Sequence, residues 1–243
     1  TGSLVNSPAW GTGKYGGGLT FNGSSGHVSS GDMSTLDGLT RVSISAWVKT
    51  TATGEKHIID KSNCNGVTNG GPFELGTSLF TSGKAAFVIY KNGGNPAYSY
   101  AESAVSVTDG NWHYITGVYN GTDIQVYVDG ALSGQTPLSG VTLSSTSNSL
   151  EIGGNCNSYP YIWNGSIDDV RIYNTALTAT EIQVDMNTPV GGTTVTPVVT
   201  TPTTPTPTPS NGTCGSSNNQ TLSSSPTTNL CSTGTASSVT NSS

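Results

Sequence analysis

Residues 109–130, DGNWHYITGVYNGTDIQVYVDG, decide the fold class. Three Asx-Gly pairs, Asp109-Gly110, Asn120-Gly121 and Asp129-Gly130, bracket two short runs of mixed apolar and polar residues. Asn-Gly and Asp-Gly are strong hairpin signals because both central residues of a tight, twisted β-turn need positive φ. Between the turns, residues 113–119 alternate and residues 124–128 put Ile124, Val126 and Val128 on one face, the period-2 pattern of a half-buried strand. A turn, a strand, a turn, a second strand and a turn within 22 residues read as antiparallel meander, not helix.

The same pattern continues outward. In residues 43–49 (SISAWVK), Ile44, Ala46 and Val48 share a face and Trp47 lies opposite. Residues 85–90, 150–152 and 166–173 read as further strands, with Asx-Gly pairs at Asn22, Asp37, Asn65, Asn92 and Asn164. Such spacing predicts an all-β antiparallel sandwich of jelly-roll type. One exception is residues 178–186 (TATEIQVDM), where Thr178 precedes Glu181 by three residues, a capping box that starts one short helix at the domain end.

Composition agrees and sets boundaries. Of 243 residues, 8 are Lys or Arg, 14 are Asp or Glu, 32 are Gly and 12 are Pro, which disfavours helical bundles. A net charge of -6 offers no basic footprint for nucleic acid, and no run is long and apolar enough to insert in a membrane. Residues 188–210 (TPVGGTTVTPVVTTPTTPTPTPS) read as an extended Thr/Pro linker, and residues 211–243, with Cys214 and Cys231 in a Ser/Thr/Asn-rich setting, as an incomplete Cys-containing module or irregular tail. The folded domain is thus expected over residues 1–187.

Within that span six ordered segments, GGLTFNG (17–23), VSISAWVK (42–49), DGNWHYITGVYNG (109–121), VYVDG (126–130), LEIGG (150–154) and NGSIDDVRIYNTAL (164–177), resemble the bacterial laminin-G-like domains of the concanavalin A-like lectin/glucanase superfamily. The resemblance implies two packed antiparallel sheets serving as a non-catalytic carbohydrate-binding or adhesive module of a larger secreted or cell-surface protein. Its partners would be polysaccharides or glycans, or surface proteins. A structural spacer or protein-binding domain of an adhesin or filament is the alternative. The resemblance implies a first strand ahead of residues 1–10 that is missing here, so either an edge is left exposed or the domain is truncated at that end. Enzyme chemistry is not expected: retaining glucanases of this fold carry an E-x-D-x-E strand, whereas Glu74, Glu102, Glu151 and Glu181 are isolated in sequence. His27, His57 and His113 show no His-x-Glu or His-x-His spacing for zinc.

Candidate ligand-binding residues cluster in residues 155–164 (NCNSYPYIWN). Tyr159, Tyr161 and Trp163 offer aromatic faces to sugar C–H surfaces, Asn155 and Asn157 offer amides to hydroxyls, and Tyr98 and Tyr100 extend the set. An aromatic plug over the sandwich edge is the competing reading. Asp168 is expected on the face of Val170 and Ile172, with Asp169 and Arg171 paired on the other. The resemblance implies a structural Ca²⁺ where Asp168 meets Asn22 and Gly23; an Asp hydrogen-bonded to a turn is the alternative. An extracellular setting favours a disulfide, preferentially Cys64 with Cys156.

Overall fold

The computed structural model describes residues 2–6, 8–62, 70–92, 97–155 and 161–191. All lie in the first of two compact units, Thr1–Pro197 and Val198–Ser243. Cys64, Cys156, Asn157, Tyr159 and residues 192–243, with most of the Thr/Pro segment and the tail, lie outside the described residues.

The chain forms β1 (Ser3–Val5), β2 (Ala9–Thr12), β3 (Gly17–Asn22), β4 (His27–Ser29), β5 (Val42–Lys49), β6 (Lys56–Asp60), β7 (Phe73–Thr77), β8 (Lys84–Tyr90), β9 (Tyr98–Ser106), β10 (Trp112–Tyr119), β11 (Asp123–Val128), β12 (Ala131–Pro137), β13 (Glu151–Ile152), β14 (Asn164–Tyr173) and the helix α1 (Ala179–Asn187). Two seven-stranded antiparallel sheets result, ordered β1-β4-β13-β6-β7-β8-β9 (sheet A) and β12-β11-β10-β5-β14-β3-β2 (sheet B). This is the expected jelly-roll sandwich. Asp129 and Gly130, at φ 52° and 75°, make the tight turn between β11 and β12.

Alternation fills the space between the sheets. Sheet B contributes Ile44, Ala46, Val48, Ile115, Ile124, Val126 and Val128, and sheet A faces them with Ile59, Phe73, Leu75, Ala85, Phe87 and Ile89. Gly117 on β10 leaves room for Phe87, whose ring atoms lie 2.4 to 2.8 Å from where a Cβ would stand. The outer faces differ. On sheet B, Trp47, Tyr114, Val118 and Tyr127 form a second apolar cluster against Ile182 of α1. The helix is anchored there by its capping box, with the Thr178 hydroxyl accepting from Glu181 N–H and the Glu181 carboxylate accepting from Thr178 N–H. Sheet A instead turns polar and aromatic side chains outward, and the candidate site lies there.

The bulge in β14 corrects the expected placement of Asp168. Asp168 pairs with Trp47 but Arg171 with Ser45, so β14 spends one residue more than β5 over this interval. Asp169 takes φ 48°, the left-handed conformation that such an insertion uses. Asp168 consequently leaves the face of Val170 and Ile172, both packed on the inner core, and joins the Tyr15–Trp47 side. Arg171 pairs with Asp169 at 3.7 Å, as expected, and also donates to the carbonyls of Asp185 and Thr188. β2, all four of whose residues are exposed, is one of the two edge strands of sheet B; it pairs with β3, and β3 occupies the position beside β14.

Candidate carbohydrate-binding face

On the outer face of sheet A the ladder aligns one residue from each of six strands. Ser29 pairs with Glu151, Glu151 with Asp60, Asp60 with Glu74, Glu74 with Val88 and Val88 with Tyr100. Directly paired residues share a face, so three carboxylates and a tyrosine stand in one row across β4, β13, β6, β7, β8 and β9. Tyr90 and Tyr98, themselves paired, form the adjacent row.

The β8–β9 end is aromatic. Phe80, in the turn after β7, stacks on Tyr100 with centroids 3.6 Å apart and planes at 12°. Tyr98 lies 6.2 Å from Phe80 and 5.9 Å from Tyr90. Phe80 and Tyr98 are each 42% exposed, so the patch presents ring surface to solvent. Sugars offer C–H faces to such rings and hydroxyls to neighbouring polar groups.

Toward the middle of the sheet the face becomes polar and closed. A bulge between His57 and Ile59 inserts Ile58, so His57 and Asp60, three apart, reach the same side. His57 Nδ1 lies 2.7 Å from Asp60 Oδ2, and Nε2 lies 3.1 Å from Glu74 Oε1 and 3.3 Å from Glu55 Oε1. Tyr90 donates its hydroxyl to Glu74 Oε2 at 3.0 Å. Tyr161 stacks on His57 at 5.0 Å and 10°. Burial raises the Glu74 carboxyl to about 7, against the pull of His57. Burial opposes charge on His57, but Glu74, Asp60 and Glu55 outweigh it and hold the imidazole well above its usual range. Next along the row, Glu151 is likewise raised to about 7 by burial, with Asp60 adding to it and the Ser29 hydrogen bond opposing.

The residues expected from sequence divide accordingly. Tyr98, Tyr100 and Tyr161 stand on this face. Trp163 does not: it is fully buried in the inner core, donating Nε1–H to the Ser166 carbonyl. Asn155 is also buried, its Oδ1 without a hydrogen-bond partner. Ile162 and Trp163, immediately ahead of β14, are both buried, so Trp163 serves packing and offers no face to a sugar. Nor do the expected calcium ligands converge. Asn22 pairs with Asn164, whereas Asp168 lies four residues farther along β14, roughly 13 Å away at about 3.3 Å per residue. Asn22 Oδ1 accepts from Ser24 and Ser25 in a local turn, and Asp168 accepts from Tyr15 N–H and Asp169 N–H. Asp168 is thus held by backbone N–H groups, one of them from the turn at Tyr15. Phe80, His57, Glu55, Asp60 and Glu74 were missed. Their one sequence signal was Glu55-x-His57, which puts two donors on one face of a strand; Glu74 is remote in sequence and adjacent only across the ladder.

A laminin-G family model described as "Concanavalin A-like lectin/glucanases superfamily" matches residues 22–183. Among solved structures, domain 4 of AbnA, a GH43 extracellular arabinanase from Geobacillus stearothermophilus, in complex with arabinotriose, is similar at TM-score 0.59 and 18% identity, over 76% of this chain and 87% of that one. The binding domain of Paraclostridial Mosquitocidal Protein 1 is similar at TM-score 0.57 and 13% identity, over 77% and 47%. The binding domain of Botulinum Neurotoxin DC in complex with SialylT is similar at 0.56 and 16%, over 77% and 46%. This chain spans about half the length of those two toxin domains, and at these identities the likeness is one of fold. No curated protein sequence matches the chain.

Proposed function

Because the chain belongs to the laminin-G-like family of the concanavalin A-like lectin/glucanase superfamily, we propose that it is a non-catalytic carbohydrate-binding module of an extracellular protein, and that glycan is held on the outer face of sheet A. The observation that carries this reading is the platform of Phe80, Tyr98 and half-buried Tyr100, with Phe80 and Tyr98 exposed, at the end of the row that runs through Val88 to Glu74, Asp60 and Glu151. Cross-strand aromatic pairs stabilise the sheet, and the same rings, where they face solvent beside polar groups, offer a sugar chain both kinds of contact it uses. Similar folds that bind arabinotriose and SialylT support the ligand class.

A hydrolase is the second reading, favoured by the three carboxylates in the row. Most of their oxygens are already engaged. Asp60 accepts from His57 and from Ser62 N–H, and Glu74 from His57 and Tyr90. An engaged, buried carboxylate is a poor nucleophile, which favours the non-catalytic reading. The test is affinity electrophoresis or a glycan array with the intact chain, beside reducing-sugar release from the retained polysaccharide. Expected is retention without release, lost in Tyr98→Ala/Tyr100→Ala while circular dichroism is unchanged. Retention that survives this double substitution moves the site elsewhere, and sugar release establishes the second reading.

A further inference from the structure

The His57 cluster is more than a sheet-surface ion pair. It combines a nearly buried imidazole with two carboxylates aimed at the same ring nitrogen: His57 is 4% and Glu74 6% exposed, and the Glu55 side chain is 39% exposed. Asp60, a pure acceptor when ionised, sits 2.7 Å from Nδ1, which places a proton on Nδ1 and makes Nε2 the nitrogen that would exchange its proton for a metal ion. Nε2 faces Glu74 Oε1 at 3.1 Å and Glu55 Oε1 at 3.3 Å, and these three donor atoms lie within 4.8 Å of one another.

The two separations from Nε2 are close to those of a coordination polyhedron. A tetrahedral ion with bonds of about 2.0 to 2.2 Å holds its ligand atoms roughly 3.3 to 3.6 Å apart. Nitrogen and oxygen donors at 3.1 and 3.3 Å need only small movements to bind a common ion. The surroundings have the form that metal sites require. A carboxylate fixes the orientation of the histidine from its far side, and a tyrosine hydroxyl holds the other oxygen of Glu74, so that Oε1 is the one directed at Nε2. Charge points the same way, since the cluster brings three carboxylates to a single imidazole. Across the ladder from Asp60, the buried Glu151 oxygen Oε2 has no hydrogen-bond partner. An imidazole donor disfavours Ca²⁺ and Mg²⁺, which prefer all-oxygen shells.

We propose that Glu55, His57 and Glu74 form a site for one divalent transition-metal ion of the Zn²⁺ class, with Asp60 and Tyr90 as positioning residues and at least one coordination position open toward solvent. The site lies beside the aromatic platform but does not depend on glycan binding. In sequence, the absence of close His-x-His or His-x-Glu spacing argued against zinc; the ladder between β6 and β7 supplies the third ligand instead.

The intact chain, stripped with EDTA, is titrated with Co²⁺ and then Zn²⁺. Expected is one Co²⁺ per chain, with the visible absorption of a four- or five-coordinate site, displaced stoichiometrically by Zn²⁺ and raising the thermal midpoint. His57→Gln and Glu74→Gln lose this spectrum. Asp60→Asn keeps it but weakens affinity by about 10- to 100-fold. Glu102→Gln, which alters a carboxylate of β9 bound to Thr81, leaves affinity unchanged. Glu74→Gln is nearly isosteric and keeps an acceptor for Tyr90, so it decides the matter should His57→Gln fail to fold. Absence of stoichiometric Co²⁺ or Zn²⁺ binding, binding that persists in Glu74→Gln, or a site that takes Ca²⁺ in preference to Zn²⁺ overturns the proposal.

Discussion

Glu151→Gln should stabilise this protein in mild alkali. Glu151 stands in β13 between Ser29 of β4 and Asp60 of β6. Ser29 donates to Oε1 at 3.0 Å, and the only other charged or titratable groups described against it are His27, with Nε2 at 3.7 Å from Oε2, and Asp60. Burial, aided by Asp60, raises the carboxyl from its ordinary 4.5 to about 7. A folded-state pKa above the unfolded value means that the folded protein binds this proton more tightly. The resulting stability is complete below pH 4.5 and is lost as pH rises through 7. The displacement corresponds to roughly 3 kcal/mol at about 1.4 kcal/mol per pH unit, and screening by water at the open side of the row reduces it to about 1–2 kcal/mol. Glutamine keeps the shape and the Ser29 bond but has no proton to lose. Urea unfolding of both proteins at pH 5 and pH 8.5, with EDTA throughout, should show the variant gaining about 1–2 kcal/mol over the parent between the two pH values. A difference that is the same at both, or that shifts toward the parent at pH 8.5, refutes the claim that Glu151 is buried at a cost.

Three further outcomes follow from other parts of the sandwich. His113 bridges Asp129 at 2.9 Å and Asp109 at 3.1 Å, and although desolvation opposes charge, these partners raise its pKa. Its contribution is therefore full below about 6.5 and fades as pH rises through the higher folded value, so the stability gap between parent and His113→Gln should narrow from pH 5.5 to pH 9 in chemical denaturation. Thr178→Ala removes the N-cap acceptor of α1 and should cost about 1 kcal/mol, with faster hydrogen exchange confined to the helix and its contacts. The expected Cys64–Cys156 bridge lies outside the described residues; peptide mapping without reductant should find the two joined, and free thiols at both positions would remove it.

Local periodicity carried most of the architecture. Residues 43–49 form β5 with Ile44, Ala46 and Val48 inward and Trp47 outward, as alternation requires. The Thr178–Glu181 capping box starts a helix where it was expected. The period fails where an extra residue enters a strand. At Asp169 a bulge turned Asp168 away from its expected face, and at Ile58 another brought His57 and Asp60 together. Trp163 shows a different failure. Aromatic composition alone cannot separate a sugar platform from a core residue, because both uses select for the same large ring, and burial decides between them.

By itself the sequence determined that this chain makes an antiparallel sandwich, because strand period, turn chemistry and helix capping are written in neighbours one to four residues apart. Tertiary structure alone decided which side chains meet. Glu151, Asp60 and Glu74 are separated by long stretches of chain, yet sit on consecutive strands in one row. Their proximity follows from strand order and register, which are set by how the whole apolar interior packs. The same packing sets α1 against the outer face of sheet B and leaves Phe80 and Tyr98 exposed on that of sheet A.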